Sequence, residues 1–186
     1  MKFSPRAKKF FEQFIFYLKI AIVAAGLVVF IRGFLFVPVT IDGNSMENTL
    51  MTGDEMVMEK FSKIRRFDIV VIERPNNEIL VKRVIGLPHD SLKVVNNQLY
   101  INDKRQEEPF LKKNLKNYHS LTPFTNDFEL KGLIGKEKLG KDEYFVMGDN
   151  RVESRDSRTF GVVKEREILG KGLFVYYPFD ELKWLR

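Results

Sequence analysis

From Phe14 to Val37 the chain reads FIFYLKIAIVAAGLVVFIRGFLFV, apolar at almost every position, with Lys19 and Arg32 as its charged interruptions. About 20 consecutive apolar residues cross the hydrocarbon core of a bilayer, and long cationic side chains near the ends of such a run reach the interface. The pattern predicts one membrane-spanning helix over residues 14–37, preceded by a short segment, 1–13. A cleaved secretory signal is the competing reading, with Lys2, Arg6, Lys8 and Lys9 as its basic region and Ile20 to Ile31 as its apolar one. The residues that follow, RGFLFVPVT, are bulky where a cleavage site needs small side chains, so the helix is expected to be retained.

Past Pro38 the periodicity changes. Short runs rich in β-branched and aromatic residues are broken by Gly, Asn, Asp and Pro: EMVMEKF, FDIVVIERP, EILVKRVIGLP, DSLKVV, QLYIN, EYFVMGD and GLFVYYPF. This spacing predicts a mainly β domain over residues 38–186. Asn96 and Asn97, between LKVV and QLYIN, predict a tight hairpin turn, because Asn tolerates positive φ. Residues 107–141 are rich in Lys and Asn, with apolar groups at Phe124, Phe128 and Leu130, and read as an irregular insertion or small subdomain. No later run is long enough for a second span, since IVVI at 69–72 and FVYYPF at 174–179 are strand-sized.

Composition narrows this picture. A chain of 186 residues accommodates one core plus a membrane segment. The absence of cysteine removes disulfides, thiolate metal sites and cysteine nucleophiles, leaving an oxygen or a lysine as any nucleophile. The net charge of +6 is spread along the chain and interleaved with acids, without a nucleic-acid-binding signature, so the anionic lipid surface rather than nucleic acid is the expected partner. Lys2, Arg6, Lys8 and Lys9 against Glu12 put the basic excess before the helix. The positive-inside rule then places the N-terminus in the cytoplasm and residues beyond 38 outside.

Three stretches carry candidate chemistry. In EILVKRVIG, residues 78–86, strand alternation puts Leu80, Lys82 and Val84 on one face and Ile79, Val81, Arg83 and Ile85 on the other. A lysine enclosed by apolar neighbours has its charged form disfavoured and becomes a base near neutral pH. The strand by itself favours the bland alternative, a surface lysine whose stem lies on the sheet and whose ammonium stays in water. Ser45 in IDGNSMENTL is by its neighbours an ordinary turn serine. A serine hydroxyl with a neutral lysine in reach is nevertheless a working nucleophile–base pair. The histidines, His89 and His119, keep a Ser-His alternative open, although neither serine context is a G-x-S-x-G elbow. The third stretch, MGDNRVESRDSRTFG at 147–161, reads as a charged loop or as a shell orienting a catalytic lysine, with Asp156 and Arg158 spaced for an ion pair.

SMENTL, KRVIGLP and GDNRVESRDSR, in this order after an N-terminal anchor, resemble the bacterial type I signal peptidases, in the single-span form of Gram-positive bacteria. The resemblance runs from the anchor to about Phe179. It implies an antiparallel β catalytic domain outside the cytoplasmic membrane and a serine endopeptidase that removes signal peptides from exported preproteins. It further implies Ser45 as nucleophile, Lys82 as general base, Ser154 as the hydroxyl that hydrogen-bonds and orients the lysine, and Asp156 and Arg158 as a supporting ion pair. Met46 follows the nucleophile as in the family, and Ile41, Leu50 and Val81 match positions lining shallow pockets for small residues of the Ala-x-Ala type. No metal or cofactor is expected, and the protein is expected to act as a monomer. Three positions depart from the family pattern: Gly43 stands where some members carry an oxyanion-binding serine, Asn48 where proline is usual, and His89 where glycine is usual. Asn and His enter left-handed backbone conformations more readily than most residues, so both turns are expected to survive. The rival readings are a self-cleaving repressor protease of the LexA type, which would need a DNA-binding domain, a membrane-anchored assembly factor without proteolysis, and a Ser-His hydrolase.

Overall fold

A computed structural model describes residues 5–185, and the chain divides into two compact units, residues 1–37 and 38–186. Lys2 of the expected basic flank lies outside the described residues, as do the side chains of Arg6, Lys8 and Arg32. The first unit is dominated by α1, Pro5–Phe34. Proline is favourable in the first turn of a helix, where its missing N–H has no partner to lose. Helix-forming Ala, Lys, Glu and Gln then carry the helix into the apolar run. The helix therefore starts at Pro5 rather than at residue 14, and it stops at Phe34 rather than 37, because Pro38 disfavours helical backbone in the residue before it. Lys9–Phe30 is long and apolar enough to cross a membrane, about 33 Å at 1.5 Å per residue. Its Phe10, Val23 and Val29 side chains are exposed, as expected where lipid is the solvent.

The second unit is built of antiparallel strands. They are β1 (Phe36–Thr40, entering the unit at Pro38), β2 (Glu55–Glu59), β3 (Ile69–Glu73), β4 (Ile79–Gly86), β5 (Leu92–Val95), β6 (Gln98–Ile101), β7 (Lys104–Gln106), β8 (Phe128–Glu129), β9 (Glu143–Met147), β10 (Val163–Lys164), β11 (Ile168–Tyr177) and β12 (Lys183–Trp184). The larger sheet has the order β1-β2-β11-β3-β4-β9-β10, with β12 paired to β11; the smaller has the order β7-β6-β5-β8. Each of the seven runs marked in the sequence becomes a strand, because alternating branched and aromatic residues suit a pleated surface with a buried face. Asn96 and Asn97 have φ of 51° and 62° and turn β5 into β6 with four paired positions in register.

The larger sheet is covered on both faces. Val70, Ile72, Val84, Tyr144, Val146 and Val163 form one buried cluster. Ile85, Phe145 and Met147, from the opposite face, pack against Leu92, Val94, Leu99 and Ile101 of the smaller sheet and against Leu130 and Leu139. Side-chain alternation along β4 and β9 produces this division. Residues 107–141 contain α2 (Lys112–Asn117), β8 and α3 (Leu130–Ile134). They are not a separate subdomain: β8 edges the smaller sheet, and Leu111, Phe124, Leu130 and Leu139 are buried in the domain.

Candidate active site

Ser45 sits in a tight turn between β1 and β2. Glu47 N–H bonds to Asn44 O, and the N–H groups of Thr49 and Leu50 both bond to Met46 O. Gly43 enters this turn at φ +88°, and Asn48 leaves its centre at φ +70°, a left-handed conformation. Met46 and Leu50 are fully buried and peg the turn to the core, while Ser45 remains partly accessible. Asn150 fastens it from the other side: its N–H bonds to Ser45 O at 3.0 Å and its side-chain amide to Asn44 O at 3.2 Å.

Lys82 projects from β4 toward this turn, and its Nζ lies 2.6 Å from Ser45 Oγ and 3.1 Å from Val81 O. It is 2% exposed, so the surface-lysine alternative is not realised. Burial pushes its pKa down to about 8, against which the charges of Asp156 and Glu78 pull it upward and that of Arg155 adds to the lowering. At that value about one lysine in ten is neutral at pH 7, compared with fewer than one in a thousand at an ordinary lysine pKa. A neutral amine in hydrogen-bond contact with a hydroxyl can take its proton. Ser45 N–H makes no hydrogen bond among the described residues and is available to an oxyanion.

The loop after β9 surrounds this pair. Asp156 caps α4 (Ser157–Phe160), accepts from Gly148 N–H at 3.0 Å and is paired with Arg158 at 2.8 Å. Arg158 also bonds to Arg151 O, so the expected ion pair closes the loop on itself. Gly148 is required by close approach: a Cβ there would stand 2.3 Å from Ser45 O and 2.2 Å from Ser154 Oγ. Ser154 Oγ is buried without a hydrogen-bond partner among the described residues. The expected bond from Ser154 to Lys82 is therefore not formed in this structure, although the hydroxyl abuts the same Gly148 that touches the Ser45 carbonyl.

A cleft of about 210 Å³ opens beside the pair, lined by residues 39–43, Ser45, Met46 and residues 79–82. Ile41, Met46 and Val81 are on its walls. Leu50 is not: it is wholly buried beneath the turn, and its N–H closes the turn on Met46 O. The leucine follows the turn by one helical step, which directs it into the core rather than the cleft. His89, at φ +69°, makes a turn after β4 in which its N–H bonds to Leu139 O; His119 lies in the exposed part of the 107–141 segment. Neither histidine lines the cleft.

Sequence reasoning passed over four residues that hold the site. Arg83, next to Lys82 but on the other strand face, makes a buried two-pronged ion pair with Asp149 at 2.8 and 2.7 Å. Its guanidinium also bonds to Phe67 O and lies 4.1 Å from the centre of the Phe110 ring. Thr49 Oγ1 bonds to Asp149 Oδ2 at 2.5 Å, joining the nucleophile turn to this pair. Asn114, from α2, bonds to Glu47 O and Asp149 O. The available signal was Arg83 flanked by Val81 and Ile85 on one strand face, which calls for an acid if that face is buried but does not say which acid.

The comparisons with known proteins agree with this architecture. Residues 14–177 match the family described as "Signal peptidase, peptidase S26". Signal peptidase I V of Bacillus subtilis (strain 168) is 41% identical over 159 residues, covering 83% of this chain and 94% of the relative. Signal peptidase IB of Staphylococcus aureus (strain MRSA252) is 38% identical over 174 residues, covering 89% and 91%. The crystal structure of a signal peptidase I from Enterococcus faecalis V583 is 36% identical, with a TM-score of 0.56 over 59% of this chain and 97% of that one. The chain belongs to the peptidase S26 family. It is a serine endopeptidase of the signal peptidase I type, and its mainly antiparallel β architecture is that family's fold.

Proposed function

We propose that the protein, held in the cytoplasmic membrane by α1, removes signal peptides from exported preproteins with Ser45 as nucleophile and Lys82 as general base. The observation that carries this reading is the 2.6 Å contact between a buried, pKa-lowered lysine and a serine hydroxyl at the wall of a cleft. Neutral Lys82 takes the Ser45 proton as Oγ attacks the scissile carbonyl. The Ser45 N–H donates to the oxyanion, with Gly43 supplying no side-chain donor. The lysine ammonium then protonates the leaving amine, which is the new N-terminus of the mature protein. The acyl-enzyme holds the signal peptide until water, deprotonated by the same lysine, attacks the ester and regenerates the hydroxyl. Asp156 and Arg158 hold the loop around the pair, and the Ser154 hydroxyl of that loop is assigned the role of supporting the lysine during turnover.

Ile41, Met46 and Val81 line a small cleft suited to small side chains before the cut, in the Ala-x-Ala manner. The basic excess ahead of the apolar run favours an N-terminus in the cytoplasm and a catalytic domain outside, beside anionic lipid, and the reading takes the protein to work as a monomer. With Ser45→Ala or Lys82→Ala, cleavage of a model preprotein by the purified full chain is expected to be lost, whereas His89→Ala and His119→Ala keep it. Activity surviving in Lys82→Ala would sink the assignment of the base. Protease added to intact spheroplasts should digest the C-terminal domain, and full protection would reverse the orientation.

A further inference from the structure

The nucleophile turn and the loop after β9 are bridged by a side chain that belongs to neither. Asn114 of α2 is 5% exposed, and its Nδ2 donates to Glu47 O at 3.0 Å and to Asp149 O at 3.2 Å. Both neighbours are carbonyls, so only the nitrogen of the amide suits them. Its Oδ1 is buried and accepts no hydrogen bond among the described residues. A residue present for packing alone would be apolar here, because leucine fills a similar space without leaving a polar atom unsatisfied. What asparagine adds is a pair of N–H donors spread between two backbone segments.

Both segments lead to the reacting groups. Glu47 lies in the hydrogen-bonded turn that carries Ser45, and its own N–H closes that turn on Asn44 O. Asp149 grips Arg83, the residue after Lys82 on β4. A second fastening from the same segment lies alongside, where Arg151 of the loop bonds to Thr125 and pairs with Glu108. We propose that Asn114 is a positioning residue for the reaction: its amide sets the spacing between the Ser45 turn and the Asp149 loop, and through them the contact of Ser45 Oγ with Lys82 Nζ. The segment 107–141 is then part of the machinery that aligns the nucleophile with its base. This rests on the Ser45–Lys82 reading given above.

The test compares Asn114→Leu and Asn114→Asp with the unaltered full chain in detergent micelles, cleaving a signal-peptide substrate, with Ser45→Ala and Lys82→Ala alongside. The aspartate keeps the shape but replaces the N–H donors with acceptors that face two carbonyls, and it serves if the leucine variant does not fold. Folding is checked by thermal unfolding before kinetics. The expected result is a fall in kcat of about 10- to 100-fold with KM within about twofold, the cost of a small misplacement at the reacting atoms. The acid limb of the pH profile should also move upward, as a displaced turn admits water to Lys82 and returns its pKa toward the ordinary lysine value. Amide exchange at Asn150, whose N–H is bonded to Ser45 O, should quicken. A folded variant with unchanged kcat and an unmoved limb overturns the proposal, whatever the exchange rate. Loss of the dyad reading is seen separately, as activity in Ser45→Ala or Lys82→Ala.

Discussion

Lys82 carries a positive charge in water at neutral pH, and the fold removes much of that preference by enclosing it. The neighbouring charges make the effect adjustable. Glu78 favours the ammonium, so Glu78→Gln should shift the acid limb of kcat/KM to lower pH; Arg155 opposes it, so Arg155→Gln should shift the limb upward. Measuring the two profiles against the unaltered protein, whose limb is expected near pH 8, checks both signs. The same lowered pKa links to stability. Between about 8 and the ordinary lysine value of 10.5 the unfolded chain binds more protons than the folded one, so stability rises with pH across that window. Lys82→Met should abolish the rise and stabilise the inactive protein at pH 7 by up to about 3 kcal/mol, as read from urea midpoints. From the sequence, Ser45 and Lys82 could be paired only through the three motifs together, because each alone has a commoner structural explanation. The Arg83–Asp149 pair was not legible, since nothing local to either residue shows that positions 66 apart meet in the interior.

Among the elements, the turns are where this chain departs from its family pattern. Asn48 and His89 both take left-handed backbone, with φ of 70° and 69°. Proline holds φ near −65°, so Asn48→Pro, which restores the usual family residue, should destabilise this protein by at least about 1 kcal/mol and slow cleavage. His89→Gly should be neutral or stabilising by up to about 1 kcal/mol, while His89→Val is destabilising; thermal unfolding separates the three. The seven strands with strong alternation were readable in the sequence. Strands β7, β8, β10 and β12 were not marked, because runs of two or three residues hold too little periodicity to show, and β1 was not, because Phe36 and Val37 read as the end of the apolar helix. The extent of α1 was misjudged for a related reason: hydropathy marks where lipid is favourable, whereas the helix begins and ends where backbone chemistry at Pro5 and Pro38 permits.

For the molecule as a whole, the buried pair of Arg83 and Asp149 binds the larger sheet to the loop after β9 and, through Thr49, to the nucleophile turn. Removing one partner leaves a charge in the interior. Asp149→Leu should therefore cost about 3–5 kcal/mol in denaturant unfolding, and adding Arg83→Met should recover part of that loss. Segment 107–141 was legible as irregular but not as a participant in the site. Its apolar residues are sparse, and what joins it to the centre is a handful of polar side chains whose partners are distant in sequence.

The alternation along β4 has a consequence for how such a protein can change over time. Lys82 and Arg83 are consecutive letters with unrelated duties, one facing the cleft and the other the interior, separated only by the parity of the strand. Gaining a single codon ahead of Lys82 would turn its amine to the interior, in the place of Arg83, whereas losing one would bring the Arg83 guanidinium beside Ser45 and leave a valine facing Asp149. Length variation should therefore be forbidden between Ile79 and Arg83 and tolerated at the exposed stretch 119–123, so that a library of one-residue insertions scored for secretion would map the catalytic strand by its gaps.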